Sequence, residues 1–231
     1  VKDMLDDYYQ TRGNREDIEK ERTDEADKVS ARITEMLLEK AFSFTPDFLL
    51  RIHQRLFEGI YKHAGAYRTV NISKKEWVLG GDTVMYSSYD MLRETLEYDF
   101  ELEKRVDYNA LNVDLAIKQI CKFISGIWQI HPFREGNTRT TAVFTMKYLQ
   151  TFGFTVNNDV FKDNSWYFRN ALVRANYKNL PKDIHSTSDY LELFFRNLIL
   201  GEKNVLSNRS MLVFESQSAN NEISKCQNGS L

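Results

Sequence analysis

A short run from His131 to Thr141, His-Pro-Phe-Arg-Glu-Gly-Asn-Thr-Arg-Thr-Thr, concentrates side chains that can perform chemistry. His131 offers an imidazole, whose ordinary pKa of about 6.5 suits a general base. Glu135 offers a hard oxygen ligand of the kind that binds Mg²⁺ on a nucleotide. Arg139 offers a fork of donors for a phosphate group. These residue types at this spacing predict phosphoryl or nucleotidyl transfer.

The elements on either side of this run predict how it is held. Apolar residues recur at helical spacing both before and after it, which indicates a tight loop between two buried helices. We expect Asn137 to cap a helix that begins near Thr138, and Gly136 to let the backbone approach a ligand closely. The first amides of that helix, at the positive end of its dipole, then favour a phosphate. Each residue alone is most often structural, so the prediction rests on their combination.

This run resembles the signature of the Fic family, His-x-Phe-x-(Asp/Glu)-Gly-Asn-(Gly/Lys)-Arg-x-x-Arg. A second stretch, Ile52-His53-x-x-Leu56-Phe57 followed by Ala64-Gly65-x-Tyr67-Arg68, resembles the segment that leads to the family's flap. Together the resemblance covers roughly residues 45 to 200. It implies a mainly α fold, a Fic-type helical bundle with a β-hairpin flap beside the active-site loop. The positions that match the signature are His131, Phe133, Glu135, Gly136, Asn137 and Arg139.

Fic proteins typically transfer AMP from ATP to a hydroxyl side chain of a target protein. The resemblance therefore implies a protein adenylyltransferase that uses ATP and Mg²⁺, modifies a Ser, Thr or Tyr hydroxyl and releases pyrophosphate. In this interpretation His131 deprotonates the hydroxyl, Glu135 holds Mg²⁺, and Phe133 anchors the loop in the core. The phosphate cradle is formed by Gly136, Asn137, Thr138 and Arg139.

Two positions depart from the family signature. Thr138 stands where the family has Gly or Lys, which a first helical turn tolerates because the backbone amide is unchanged. Ala142 stands where the family has a second arginine, which normally grips the outer phosphate of ATP. An inhibitory glutamate of the family normally pairs with that arginine, so we expect autoinhibition to be weak or absent. The candidate for such a glutamate is Glu35, and Glu222 near the C-terminus ranks below it.

Residues 67 to 86 are rich in strand formers around Gly80-Gly81, a pair typical of a hairpin turn. The edges of a hairpin accept an extended partner segment, and the family's flap holds the target in this way. A purely structural hairpin is the alternative. Further along, Tyr167 and Asn170 resemble the positions that contact adenosine, although aromatic residues at helical spacing are more often core. The flap residues expected to dock the target are Val70, Ile72, Leu79 and Val84.

The rest of the chain divides into three segments. Residues 1–44 are a charged N-terminal segment with an amphipathic helix at 26–42, residues 45–202 are the Fic catalytic core, and residues 203–231 are a polar tail. Thr45-Pro46 is typical of a helix start. Sparse prolines and apolar spacings of three and four predict a mainly helical chain. Core helices are predicted at about 46–61, 90–104, 109–130, 138–151, 165–177 and 189–201.

The amino-acid composition limits the classes of protein to which this chain can belong. The chain has 231 residues, 42% of them hydrophobic, which suffices for one sizeable core. A net charge of −2 argues against a general nucleic-acid partner, and no apolar run reaches the length of a membrane span. Two distant cysteines indicate a reducing compartment. We therefore predict a cytoplasmic protein, and secretion as an effector, self-modification and a homo-oligomer stay open.

Two other functions stay open at this point. A Fic-type phosphotransferase or another nucleotidyltransferase would use the same loop, although the acidic Glu135 favours AMP transfer. A module that binds nucleotide or target protein without turnover would explain Ala142. Retention of His131, Glu135 and Asn137 together favours an enzyme over such a module, because a pure binder has no need for a base.

Overall fold

The computed structural model describes residues 15–156 and 158–213, and within them eight α-helices are joined by turns and short 3-10 segments. The predicted mainly α fold class is confirmed. None of the helices in this described part combines the length and apolar character that a bilayer crossing requires. The helices are α1 (Arg15–Leu38), α2 (Pro46–Phe57), α3 (Leu92–Lys104), α4 (Val113–Ile130), α5 (Asn137–Thr151), α6 (Asp159–Asp163), α7 (Ser165–Asn176) and α8 (Asp189–Leu200).

Local capping explains where the helices around the site begin. Thr45 caps α2, because its hydroxyl accepts the N–H of Phe48 at 3.2 Å, and Pro46 occupies the first turn as predicted. Asn112 caps α4 by accepting the N–H of Leu115 at 2.9 Å, so α4 begins at Val113, later than the sequence predicted.

The first of two compact units contains α1, α2 and α5, and comprises the described residues up to Arg68 together with Phe133–Asn158. Within it α2 packs against α5, and α1 packs against both. The buried face of α1 presents Val29, Ile33 and Met36, which recur at helical spacing. Aromatic rings fill the space around α2 and α5, and they belong to Phe42, Phe44, Phe48, Phe144 and Tyr148.

A buried lysine holds the C-terminal end of α1. Lys147 on α5 is only 3% exposed, and its ammonium donates to the carbonyl of Met36 at 3.1 Å and to that of Glu39. Carbonyls at the end of a helix have no partner within the helix, and a cation there complements the helix dipole. Burial lowers the pKa of Lys147. The end of α1 is therefore completed by a side chain of α5.

The second unit contains α3, α4, α6, α7 and α8, and comprises Thr69–Pro132 with the described residues from Asp159 onward. Within it α4 packs against α3, α7 and α8. The indole of Trp128 on α4 is fully buried. A cluster of edge-to-face and tilted rings joins α6, α7 and α8, and its members are Phe161, Phe168, Phe194 and Phe195.

The β-hairpin predicted around Gly80-Gly81 is not found: residues 69–86, all described, contain no strand. The turn itself is present, since Gly80 and Gly81 have φ values of +64° and +93°. Its ends meet through two backbone bonds, from the N–H of Glu76 to the carbonyl of Asp82 at 2.8 Å and from the N–H of Gly81 to the carbonyl of Glu76 at 3.0 Å. Between them Trp77–Leu79 form a 3-10 turn.

A side chain explains why the two arms of this turn form no ladder. The hydroxyl of Thr83 accepts the backbone N–H of Lys74 at 3.4 Å and the hydroxyl of Ser73 at 3.2 Å. The amide of Lys74 therefore meets a side chain at the point where a strand would offer a carbonyl. Strand propensity alone does not specify pairing, which depends on the facing residues.

Candidate active site

A left-handed turn at His131 ends α4. Its φ is +52°, and its N–H donates to the carbonyl of Trp128 at 3.1 Å, so the helix cannot continue. Among the described residues, only His131 and Asp183 adopt a positive φ without being glycine. A positive φ is unfavourable for a residue with a Cβ, and such strain concentrates at functional sites.

The surroundings of His131 favour one tautomer of its imidazole. The side chain is buried, and its Nδ1 lies 3.3 Å from the carbonyl oxygen of Trp128. A carbonyl oxygen only accepts hydrogen bonds, so this contact favours the neutral form with the proton on Nδ1 and the lone pair on Nε2. Nε2 is therefore the atom that can accept a proton from a substrate.

The start of α5 differs from the prediction. Gly136 is the N-cap with φ of +78°, and Asn137 is the first helical residue. The side chain of Asn137 turns back to Phe133, whose N–H it accepts at 2.9 Å and whose carbonyl it meets at 2.7 Å. The predicted cap was wrong because this amide group pairs with both backbone groups of Phe133, with two hydrogen bonds instead of one. Asn137 thus shapes the loop from within.

A second buried histidine fixes the backbone beside α5. Nδ1 of His53 accepts the N–H of Gly65 at 2.8 Å, so its Nε2 carries the proton and donates to the carbonyl of Glu135 at 3.0 Å. The ring of His53 stacks on that of Phe133, with centroids 3.8 Å apart and planes at 6°. Burial lowers the pKa of His53 to about 4, which keeps the imidazole neutral.

The loop also approaches α2 closely at Gly136. A Cβ at this position would lie 2.4 Å from Cε2 of Phe57 and 2.6 Å from its Cζ. Phe57 is fully buried and cannot move aside without disturbing the core. Glycine is therefore required at position 136 both by its φ and by the space available.

The guanidinium of Arg139, predicted to bind phosphate, contacts a carboxylate of α1. Both terminal nitrogens lie 3.0 Å from Oε1 of Glu25, and one donates to the hydroxyl of Tyr61 at 3.0 Å. The Tyr61 hydroxyl in turn donates to Glu25 at 3.0 Å. Burial raises the pKa of Tyr61, so this hydroxyl stays protonated. The guanidinium also lies over the ring of Phe57, 4.7 Å from its centroid.

The glutamate opposite the signature arginine is therefore Glu25, which the sequence analysis did not identify. Glu35, the predicted candidate, lies further along α1 with its side chain exposed. Glu222 lies outside the described residues. The only sequence indication for Glu25 was its place in a charged helix, where it is one carboxylate among many.

Glu135 is exposed, as a ligand of a nucleotide-bound cation must be. Among the described residues, no group of three or more His, Cys, Asp or Glu side chains lies together to hold a metal. A single accessible carboxylate fits Mg²⁺ that arrives with a nucleotide and takes its other ligands from phosphates and water. Of the two departures from the signature, Thr138 lies in the first turn of α5, and Ala142 offers no donor there.

The remaining predicted positions differ in exposure. On the flap segment Val70 is 48% exposed and Ile72 is half-buried, whereas Leu79 and Val84 are buried. Tyr167 and Asn170 are both buried: Tyr167 donates its hydroxyl to the carbonyl of Tyr190, and Asn170 donates to Asn208. A contact of Tyr167 or Asn170 with adenosine stays a prediction.

Comparison with known proteins finds a family-model match. The model of the Fic/DOC family matches residues 43–149 of this chain. Protein adenylyltransferase VbhT of Bartonella schoenbuchensis is 25% identical over 117 residues, which are 50% of this chain and 23% of VbhT. The chain thus corresponds to less than a quarter of that relative.

Solved structures share the fold at low identity. The BepC effector of Bartonella tribocorum with bound AMPPNP has a TM-score of 0.60 at 18% identity, covering 78% of this chain and 87% of the other. The N-terminal Fic domain of a VirB-translocated Bep effector of Bartonella quintana with bound ADP has a TM-score of 0.62 at 18% identity, covering 78% and 85%. The type IV secretion effector BepA has a TM-score of 0.59 at 17% identity, covering 92% and 68%.

Replacing Gly136 by alanine is expected to destabilise the protein more than replacing Gly153, which is the matched control. Both residues have a positive φ, but a Cβ on Gly153 meets nothing within 4 Å. The clash with Phe57 should therefore add about 1–3 kcal/mol to the loss in free energy of unfolding. Urea denaturation measures both variants. Equal losses would show that the contact with Phe57 does not constrain the loop.

His53 is expected to make stability fall in mild acid. Its folded pKa of about 4 lies below the unfolded value, so its contribution is complete above pH 6.5 and is lost as the pH falls toward 4. Between pH 7.5 and 4.5 the stability advantage of the wild type over His53→Gln should shrink by about 2–3 kcal/mol. Urea denaturation at both pH values tests this. His185→Gln, at an exposed site, is the control, and a pH-independent advantage would refute the prediction.

Proposed function

We propose that this chain transfers AMP from ATP to a hydroxyl side chain of a target protein. The observation that carries the proposal is the contact of His131 Nδ1 with the carbonyl of Trp128 at 3.3 Å, because Nδ1–H donating to that oxygen leaves Nε2 as a base. The Fic domain supports it, as do a relative named protein adenylyltransferase and similar structures that hold AMPPNP or ADP.

The proposed reaction is an in-line displacement of pyrophosphate at the α-phosphorus of ATP. Nε2 of His131 takes the proton of the target hydroxyl, and the oxygen forms a bond to the α-phosphorus of ATP. The bond from that phosphorus to the bridging oxygen of the β-phosphate breaks, and pyrophosphate leaves. His131 then releases its proton to solvent. Positioning and charge stabilisation supply most of the rate in reactions of this type.

The start of α5 would hold the phosphates of ATP. Backbone amides of Gly136, Asn137 and Thr138 are placed at the positive end of the helix dipole, and Arg139 adds a cation. The bonds from His53 to Glu135 and from Asn137 to Phe133 keep this backbone in place before the nucleotide arrives. Mg²⁺, held by Glu135 and the nucleotide, would shield the phosphate charge.

The target protein would dock on the flap segment at residues 69–86. Of the docking residues predicted from sequence, Val70 and Ile72 remain accessible, and the exposed Met85 lies on the same segment. Leu79 and Val84 are buried and would support the segment from below the surface. The target residue, including a hydroxyl of the chain itself, is identified by mass spectrometry of the labelled protein.

Glu25 would restrain the reaction. The sequence predicted weak autoinhibition because Ala142 replaces the arginine that an inhibitory glutamate normally meets. The ion pair of Glu25 with Arg139 provides a different restraint, because it occupies both terminal nitrogens of the guanidinium that a phosphate needs. A nucleotide must displace this carboxylate in order to use Arg139.

The first alternative is a module that binds nucleotide without turnover. One observation favours it. Ala142 has no side-chain hydrogen-bond donor and Arg139 is paired with Glu25, so few side-chain donors remain to bind phosphate. The second alternative, transfer of phosphate in place of AMP, has no structural observation in its favour. Labelled ATP separates all three functions.

Label from ATP is expected to reach protein from the α-phosphate and not from the γ-phosphate. The chain is incubated with Mg²⁺ and cell lysate as a source of target, and His131→Ala is compared with His185→Ala as the control. Loss of the general base should lower the labelling rate by about 100-fold or more in His131→Ala only. Label from the γ-phosphate would establish a phosphotransferase. ATP binding measured by calorimetry, without label on any protein, would establish the binding module.

Glu25→Ala is expected to raise kcat/KM for ATP by about 5- to 30-fold, because an ion pair with hydrogen bonds of about 1–2 kcal/mol no longer competes for Arg139. The matched control is Glu35→Ala on the same helix, which should leave the rate unchanged. High salt should reduce the difference, since it screens the wild-type pair. A gain in Glu35→Ala with none in Glu25→Ala would show that the sequence-based candidate restrains the enzyme.

A further inference from the structure

Glu76 is a buried carboxylate for which the reaction above gives no role. It is 1% exposed, and a terminal nitrogen of Arg169 lies 2.7 and 3.0 Å from its two oxygens. A charge at this depth is costly unless it is paired and hydrogen-bonded. Arg169 comes from α7, so the ion pair joins a helix to the flap segment within the second unit.

The backbone around Glu76 is fixed as well as its side chain. Its N–H donates to Asp82 at 2.8 Å, and its carbonyl accepts the N–H groups of Leu79 at 3.1 Å and Gly81 at 3.0 Å. The carboxylate therefore projects from a closed turn and is paired with Arg169. Both contacts hold the Glu76 carboxylate in place as a hydrogen-bond acceptor.

The second group that contacts this carboxylate is the hydroxyl of Tyr86. It donates to Oε1 of Glu76 at 3.3 Å. The ring of Tyr86 stacks on the imidazole of His131, with centroids 4.0 Å apart and planes at 25°. The indole of Trp128 meets the same imidazole edge-on, at 5.4 Å and 86°. His131 is thus contacted by one parallel and one perpendicular ring, both favourable aromatic geometries.

We propose that Arg169, Glu76 and Tyr86 are positioning residues that set the ring plane and tautomer of His131. This inference rests on the proposed role of His131 as the base. Arg169 fixes the Glu76 carboxylate, Glu76 fixes the Tyr86 hydroxyl, and the Tyr86 ring holds the imidazole where Nδ1–H meets the carbonyl of Trp128. Without this stack the imidazole would rotate about its Cβ–Cγ bond and Nδ1–H would lose the carbonyl of Trp128. The tautomer with the proton on Nε2 would then compete, and its Nε2 is no base. In this proposal the three residues act through His131 and not on the substrate.

The same stack assists the proton transfer. When Nε2 takes up a proton, His131 becomes a buried cation, which is costly in an apolar site. The electron-rich face of the Tyr86 ring attracts a cation. The charge of Glu76 is balanced by Arg169, so the carboxylate can hold the hydroxyl without itself drawing the proton.

Nitrogen-15 NMR of histidine tests the proposal without relying on activity. The chain has four histidines, and the His131 signals are identified by their loss in His131→Ala. The wild type should show one tautomer, with the proton on Nδ1. Tyr86→Leu should show a mixture of both tautomers, and Tyr86→Phe and Glu76→Gln should show smaller shifts in the same direction. Tyr98→Leu, an exposed tyrosine of the same unit, is the matched control.

Activity provides the second readout. In Tyr86→Leu, kcat for AMP transfer should fall by about 10- to 100-fold, since part of the general-base contribution is lost, while KM for ATP stays within about 2-fold. A wild-type tautomer in all three variants would overturn the proposal, whatever the activity. If Tyr86→Leu does not fold, the His131 tautomers of Tyr86→Phe and Glu76→Gln decide the test. Altered tautomers in a chain with no AMP transfer would support the positioning and refute the proposed function.

Discussion

The loop at the start of α5 depends on one neutral imidazole. His53 accepts the N–H of Gly65 through Nδ1 and donates to the carbonyl of Glu135 through Nε2, and its ring lies against Phe133. Only the neutral ring with its proton on Nε2 satisfies both partners, because a charged ring has no acceptor. The bonds from Asn137 to Phe133 close the same loop from the other end of the segment. The backbone proposed to bind phosphate is thus set by buried and part-buried hydrogen bonds of the chain itself.

In two histidines of this chain the ring nitrogen Nδ1 has opposite hydrogen-bonding roles. Nδ1 of His53 is an acceptor, whereas Nδ1 of His131 is a donor to Trp128. The neighbouring backbone group decides the difference: an amide N–H faces the first ring and a carbonyl faces the second. His53 is therefore a structural residue, whereas His131 keeps Nε2 for the role of base proposed here, and neither residue type nor local sequence distinguishes the two tautomers.

Most of the helical framework could be predicted from the sequence, because apolar spacing and the Thr45-Pro46 pair are local properties. The residues of the signature run were also visible from their types. The features that could not be predicted from the sequence depend on contacts between segments that are distant in the chain. Glu25 and Arg139 are 114 positions apart, and α1 carries many acidic residues, so no pattern indicates which one faces the loop. The predicted β-hairpin is not confirmed, and the Thr83 hydroxyl, rather than a carbonyl of a facing strand, accepts the N–H of Lys74. Asn137 was predicted to be an N-cap from its residue type and position. The sequence alone does not show that the oxygen and the nitrogen of its side-chain amide both bond to the backbone of Phe133.

The two attachments of α1 to α5 differ in how far water reaches them. Near its C-terminal end, a buried ammonium from Lys147 completes the last carbonyls, and water reaches it little. Further toward its N-terminus, the pair of Glu25 with Arg139 has side chains that are 16% and 39% exposed. Ion pairs with access to water are weakened by salt, whereas buried contacts are screened much less. The contact that covers the guanidinium of Arg139 is therefore more sensitive to ionic strength than the contact that completes the end of α1.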